Sequence, residues 1–269
     1  MNFFGVVGEK LTHTLSPEIN KRIFELIGVE AAYKKFEISK EDISKLGEAL
    51  KVLNIKGVNV TIPYKEIVMK QLDYISKEAK DIGAVNTILL QDGKLKGYNS
   101  DYFGFKKTLE INNIEVTGKV CAVLGTGGAS KALITCLKDS GVRTLYVVTR
   151  NKSKEFRINA DVEIIDYEQL RTIKGDVLVN ATPVGMYPNV DESPVSKEVI
   201  NNFDTLVDIV YNPKMTQFLK IGRKLGKKIC GGLYMLVGQA VKSEEIWHER
   251  NIDLDVINQV YRELENRFE

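Results

Sequence analysis

The stretch GKVCAVLGTGGASKALITCLKDSGVRTLYVVTR, residues 118–150, decides the fold. Its first apolar run, Val120–Leu124, reads as a buried strand. The loop Gly125-Thr126-Gly127-Gly128-Ala129 follows, and Ala129–Lys138 then carries a helical pattern. A turn leads into a second strand, TLYVV. Strand, glycine loop, helix and strand in this order make a βαβ unit of a parallel sheet. Gly125 permits the tight turn, and Gly127 lets the backbone approach a pyrophosphate. Ser130 stands at the third glycine position and is small enough for close helix–strand packing. A phosphate would sit on the helix N-terminus, where free N–H groups and the dipole favour an anion. Glycines alone would also make a plain tight turn; the flanking strand and helix favour a nucleotide site.

The end of the second strand selects the nucleotide. An NAD site wants an acid about 20 residues past the glycine loop, to hold the ribose 2′-hydroxyl. Here the strand ends in Thr149-Arg150-Asn151, with Lys152 and Lys154 following and no acid among them. Arg150 can pair with a 2′-phosphate and stack on adenine. The expected cofactor is NADP(H).

Outward from this unit the pattern continues. Strands fit Val162–Ile165, Val177–Asn180, Leu206–Ile209 and Lys228–Cys230 behind it. Ahead of it, strands fit Phe3–Val7, Tyr33–Ile38, Gly57–Ile62, Thr87–Leu90 and Lys94–Tyr98. Helical stretches at Pro17–Ile27, Lys40–Leu53, Glu66–Leu72 and Lys77–Ile82 separate them. Alternation of this kind predicts parallel sheets. The fold class is therefore α/β with two domains: residues 1–101, and a Rossmann-type NADP-binding domain over 102–232. Two closing helices, Leu233–Glu249 and Leu254–Glu265, are expected to pack back on the first domain, so that 233–269 complete it.

Composition narrows the function. A chain of 269 residues with 43% hydrophobic content holds two cores and is not disordered. Its net charge of +2, from 38 basic and 36 acidic residues, gives no basic field for nucleic acid. No segment approaches the ~18 uninterrupted apolar residues of a membrane span. The N-terminal MNFFGVVGEK lacks the regions of a signal peptide and is expected to be a strand. Cys121, Cys136 and Cys230 form no CxxC pair, which suits core thiols of a reduced cytoplasm and no metal site. The two histidines, His13 and His248, are few for acid–base work, so a lysine or carboxylate has to serve.

Several polar residues sit at strand ends. THTLSP places Thr14 and Ser16 before a helix, and NVTIPYK places Thr61 and Lys65 just past a strand. GAVNT contributes Asn86, YNSD contributes Asp101, NATPVGM contributes Thr182, and MLVGQA contributes Gln239. Each has an ordinary structural reading: Ser16 or Asp101 as a helix cap, Lys65 as a solvated lysine, Gln239 as a satisfied buried amide. Together, the groups other than Thr182 form the donor and acceptor set that a small polyhydroxylated acid needs; Thr182 ends a strand of the nucleotide-binding unit, where open α/β sheets bind ligands.

In order along the chain, HTLSP, GVNVTIPYKE, GAVNT, GYNSDYFGF, VLGTGGAS, NATPVGM, DIVYNP and GGLYMLVGQA make it resemble the shikimate dehydrogenases. The resemblance runs from residue 3 to about 260. It implies reversible reduction of 3-dehydroshikimate to shikimate with NADPH, in the pathway to the aromatic amino acids. It further implies Lys65 as catalytic acid–base with Asp101 as partner. Thr14, Ser16, Thr61, Asn86, Asp101, Tyr211 and Gln239 match substrate positions. Gly125, Thr126, Gly127, Gly128 and Ala129 match the pyrophosphate loop. Thr149, Arg150, Asn151 and Lys154 match the 2′-phosphate loop, and Ile209 and Gly232 match positions beside the nicotinamide. Thr14-Leu15-Ser16 replaces the usual Ser-x-Ser, and Thr149-Arg150-Asn151 the usual Asn-Arg-Thr. The alternatives are a quinate/shikimate dehydrogenase of broader specificity and a non-catalytic sensor of NADP and a shikimate-like acid. The expected assembly is a monomer or homodimer.

Overall fold

The computed structural model describes residues 1–12, 14–151, 156 and 161–267. The chain divides into two compact units: Met1–Gly104 with Val237–Arg262, and Phe105–Leu236 with Glu263–Glu269.

The first unit opens with β1 (Asn2–Gly8), α1 (Ser16–Ile27), β2 (Ala31–Glu37), α2 (Leu46–Val52) and β3 (Gly57–Val60). It continues with β4 (Tyr74–Ile75), α3 (Lys77–Ile82), β5 (Thr87–Gln91), β6 (Lys94–Tyr98) and the start of α4 (Ser100–Ile111). The sheet order is β2-β1-β3-β5-β6-β4. β1 runs parallel to β2 and β3, but β5 runs antiparallel to both β3 and β6. The wholly parallel sheet expected from strand–helix alternation is thus corrected here to a mixed one. The cause is local. β5 and β6 are joined by Asp92-Gly93 alone, with φ of 51° and 72°. Two left-handed residues make a hairpin turn, and a link that short cannot carry a parallel crossover.

The second unit holds β7 (Val120–Leu124), α5 (Gly128–Asp139), β8 (Thr144–Val148), β9 (Glu163–Ile165), α6 (Tyr167–Leu170) and β10 (Gly175–Asn180). It goes on through α7 (Lys197–Asn201), β11 (Phe203–Asp208), α8 (Gln217–Lys224), β12 (Lys228–Cys230) and the start of α9 (Leu233–His248). All neighbours in its sheet, β12-β11-β10-β7-β8-β9, are parallel. The strand order reverses between β7 and β10, the switch point beyond which open α/β sheets bind ligands.

The C-terminal helices α9 and α10 (Leu254–Glu265) return to the first unit as expected. Ser243 and Trp247, four apart, share one face of α9. Ser243 Oγ accepts from Asn59 Nδ2 at 2.8 Å, and Trp247 Nε1 donates to the Ile88 carbonyl at 2.9 Å. Trp247 also stacks on Phe4, with centroids 4.9 Å apart. Gly57 makes room for it: a Cβ there would lie 2.2 Å from Trp247 Nε1. The three cysteines are buried free thiols, and burial pushes each up to about 12, so they are inert.

Candidate active site

Lys65 lies on a segment pinned from both sides. β3 ends at Val60 rather than Ile62, and a turn follows in which Tyr64 N–H donates to the Thr61 carbonyl at 3.0 Å. The Tyr64 ring is fully buried and its hydroxyl donates to the Ile38 carbonyl. The Lys65 carbonyl accepts from Val85 N–H at 2.8 Å. Lys65 therefore precedes the 3-10 turn Ile67–Gln71 instead of opening an α-helix. From there Nζ donates to Asp101 Oδ2 at 2.6 Å, and the two side chains are only 14% and 12% exposed. Asp101 sits in the first turn of α4, where the helix dipole favours a carboxylate. It is not the cap of that helix, because α4 begins at Ser100 and Tyr102 N–H turns to Asn99 Oδ1 at 3.4 Å.

Asn86 is oriented by the same helix start. Its Oδ1 accepts from Ser100 N–H at 2.7 Å and from Thr87 Oγ1 at 3.0 Å. The carbonyl end of the amide is thereby committed to the start of α4. Ser100 Oγ lies 3.2 Å from Asn86 Oδ1 and 3.4 Å from Gln239 Oε1. One buried serine, next to Asp101 in sequence, thus joins Asn86 and Gln239. Thr14 Oγ1 donates to Ser16 Oγ at 3.0 Å and accepts from Ser16 N–H at 3.2 Å. Ser16 is the first residue of α1 rather than its cap, which is Leu15 without a capping side chain. Thr61 N–H donates to the Val7 carbonyl at 2.9 Å, at the carboxyl end of β1.

Sequence reasoning missed the layer beneath these groups. Tyr33 donates to Asn59 Oδ1 at 2.7 Å, while Thr87, Ser100 and Ser243 exchange hydrogen bonds among themselves at 3.0 to 3.1 Å. The available signals were Asn59 and Thr87 inside strands otherwise apolar; Ser100 and Ser243 lie on helices.

In the second unit, Gly125 has φ 98°, and a Cβ on it would lie 2.9 Å from Thr182 Cγ2. Leu124 and Asn180 are register partners, so the glycine loop and Thr182 leave the sheet side by side. Gly127 caps α5 with no side-chain bond, and nothing lies within 4 Å of where its Cβ would be. An uncapped helix start facing open space fits a pyrophosphate. Thr149 Oγ1 accepts from Asn151 N–H at 3.2 Å, shaping the turn that leaves Arg150 exposed past β8. Arg150 is the charge that suits a 2′-phosphate. Lys154 lies outside the described residues. These residues fit NADP. Tyr211 is half-buried after β11, and burial raises its phenol above the ordinary value.

Asp208, at the end of β11, was also missed; its signal was one acid inside the apolar run TLVDIV. It is fully buried, and burial pushes its carboxyl from 3.8 to about 6 against the pull of Thr216, Val210 and Asn180. An acid raised in the folded state costs stability once it ionises. That cost is absent below the unfolded value and complete above about 6. Asp208→Asn, compared with the parent protein by urea denaturation, is expected to gain relative stability from about pH 4 to pH 7. The gain is about 3 kcal/mol before subtracting any hydrogen bond the amide loses. A difference that does not vary with pH would show an ordinary carboxyl.

Comparison with known proteins agrees along the whole chain. A family model described as the shikimate dehydrogenase substrate binding domain matches residues 6–88. The shikimate dehydrogenase (NADP(+)) of Clostridium beijerinckii is 53% identical over 269 residues, covering 100% of both chains. A crystal structure of shikimate dehydrogenase 1 from Peptoclostridium difficile superposes with TM-score 0.93 at 60% identity, over 100% of this chain and 99% of that one. A Thermus thermophilus shikimate 5-dehydrogenase in complex with NADP(H) and shikimate superposes with TM-score 0.86 at 31% identity, over 98% and 99%.

Proposed function

Since the chain belongs to the shikimate dehydrogenase family, we propose that Lys65 and Asp101 carry the proton transfer in its NADP-linked, reversible reduction of 3-dehydroshikimate to shikimate. Bound NADPH supplies the hydride. As hydride reaches the carbonyl carbon, the oxygen gains charge and takes a proton from the Lys65 ammonium. Before that transfer the ammonium stabilises the developing anion. Asp101 holds Nζ in place through the 2.6 Å contact. In the oxidative direction Lys65 Nζ accepts the hydroxyl proton, and the hydroxyl carbon gives up hydride.

The other residues hold the acid. Asn86, with its Oδ1 taken by Ser100, presents Nδ2 to a substrate hydroxyl. Gln239 and Thr61 bind the remaining ring hydroxyls, and the paired hydroxyls of Thr14 and Ser16 receive the carboxylate; Tyr211, in the second unit, is a further substrate-binding residue. Gly125 to Ala129 cradle the pyrophosphate. Thr149 to Asn151, with Lys154, take the 2′-phosphate, and Thr182, Ile209 and Gly232 line the nicotinamide end. The observation that carries this reading is the 2.6 Å contact between Lys65 and Asp101, beside a carboxamide whose direction the fold fixes. We place the enzyme in the cytoplasm as a monomer or homodimer; its free thiols suit that compartment, and no described helix is long and apolar enough to cross a membrane.

The test is the absorbance of reduced nicotinamide when the protein meets shikimate, with NADP+ and NAD+ in parallel and quinate as second substrate. Rapid reduction of NADP+ by shikimate, with quinate and NAD+ both poorer, is the expected result. Absence of reduction with every pair would sink the reading.

A further inference from the structure

This inference rests on the NADP-linked reading above and deepens it. We propose that Asp208 is a positioning residue: its buried carboxylate ties together the loops that follow β10, β11 and β12, and so sets Thr182, Ile209 and Gly232 against the reactive end of the cofactor. Three residues donate to it, one at the end of β10 and two in the β11–α8 connection. Asn180 Nδ2, at the end of β10, reaches Oδ1 at 3.0 Å; Val210 N–H reaches the same oxygen at 3.0 Å; Thr216 Oγ1, capping α8, reaches Oδ2 at 2.6 Å.

Two of the donors, Asn180 and Val210, pass the constraint on. Asn180 Oδ1 accepts from Thr182 N–H at 3.0 Å and from Thr182 Oγ1 at 2.6 Å. Its Nδ2 also reaches the Val184 carbonyl at 3.3 Å. The Val210 carbonyl accepts from Gly232 N–H at 3.2 Å. Gly232 is packed so tightly that a Cβ on it would lie 2.2 Å from the Ile209 carbonyl oxygen. The carboxylate thus joins the end of β10 to the β11–α8 connection, and Val210 carries the link on to Gly232 after β12. A carboxylate is suited to this because it accepts from several directions and requires no acceptor in return.

Folding alone does not explain the charge. Asp208 is fully buried, no ion pair compensates it among the described residues, and burial pushes its carboxyl up to about 6. A buried group that costs stability and yet organises loops at a sheet switch point is understood by what those loops hold.

The experiment compares wild-type protein with Asp208→Asn at a temperature well below either unfolding midpoint. NADP+ binding is read by titration calorimetry without shikimate, kcat and KM by steady-state kinetics, and stability by thermal denaturation. The amide keeps the shape but cannot accept from Thr216 and Val210 as the carboxylate does. The dissociation constant for NADP+ is expected to rise and kcat to fall, each roughly 10- to 100-fold. KM for shikimate should change less, and the thermal midpoint should not fall. A lower midpoint with binding and kcat within about twofold of wild type would make Asp208 merely structural and overturn the proposal. If Asp208→Asn is insoluble, Thr216→Val removes the shortest donor. It is expected to weaken NADP+ binding in the same direction, and unchanged binding there overturns the proposal equally. Wild-type protein that neither binds NADP+ nor reduces it with shikimate would instead remove the reading beneath.

Discussion

Lys65→Ala is expected to lower kcat roughly 100- to 10,000-fold, the range that positioned acid–base groups contribute. KM for shikimate should move far less, because the hydroxyls and amides proposed to bind the acid remain. The reasoning is differential. The ammonium gains most when the carbonyl oxygen turns negative, and little in the ground state, where the oxygen is neutral. Its loss therefore falls on kcat and on kcat/KM together. The calorimetric affinity for NADP+ should be unchanged, since Lys65 and the glycine loop belong to different units of the chain. Removing the lysine also leaves Asp101, only 12% exposed, without its 2.6 Å partner, so a small loss of stability is expected beside the large loss of rate. A rise in KM with kcat intact would make Lys65 a binding residue and reject the assignment.

Gly127→Val should be as damaging to the cofactor as Lys65→Ala is to the chemistry, and for the opposite reason. A Cβ at Gly127 meets nothing within 4 Å, and its φ of −77° is open to any residue. The variant should fold with an unchanged thermal midpoint. Its side chain would occupy the space through which a pyrophosphate reaches the N–H groups of α5. Losing those charge-assisted bonds costs about 2–4 kcal/mol, or roughly 30- to 1,000-fold in NADP+ affinity. Gly125 is the contrasting control: at φ 98°, with Thr182 in the way, any substitution there should damage folding first. NADP+ binding that survives Gly127→Val would place the pyrophosphate elsewhere.

What the sequence could reveal followed the range of the signal. The second unit was legible because each strand is an apolar run bounded by turns and each crossover is local; β7, β8 and β12 have the bounds the pattern predicts. The starts of β10 and β11 were cut short because Gly175, Asp176 and Asp204 look polar, although Asp176 turns its carboxylate inward to Val120 N–H at 2.8 Å. The stretch Lys40–Leu53 reads as one helix but is a 3-10 turn, Ile43–Lys45, followed by α2. The mixed first sheet was missed although Asp92-Gly93 is the strongest short hairpin signal a sequence carries. At the site, types of residue were legible and partnerships were not. Lys65 and Asp101 are 36 positions apart, and no periodicity links them. The resemblance paired them; spacing could not. Ser100 and Asp208 escaped notice because their roles are in other residues' hydrogen bonds, which only the folded chain displays.

The seat that Gly57 provides for Trp247 has an optical consequence. The chain has a single tryptophan. Fluorescence excited at the red edge of the aromatic band therefore originates from one indole, held between Phe4 and the Ile88 carbonyl. That emission reports whether α9 is docked on the first sheet and is blind to the sheet carrying the glycine loop. Circular dichroism weighs both halves. Melting curves recorded by the two probes on one sample would superimpose for a single cooperative transition and separate for two, so the protein carries its own label for asking whether its halves unfold together.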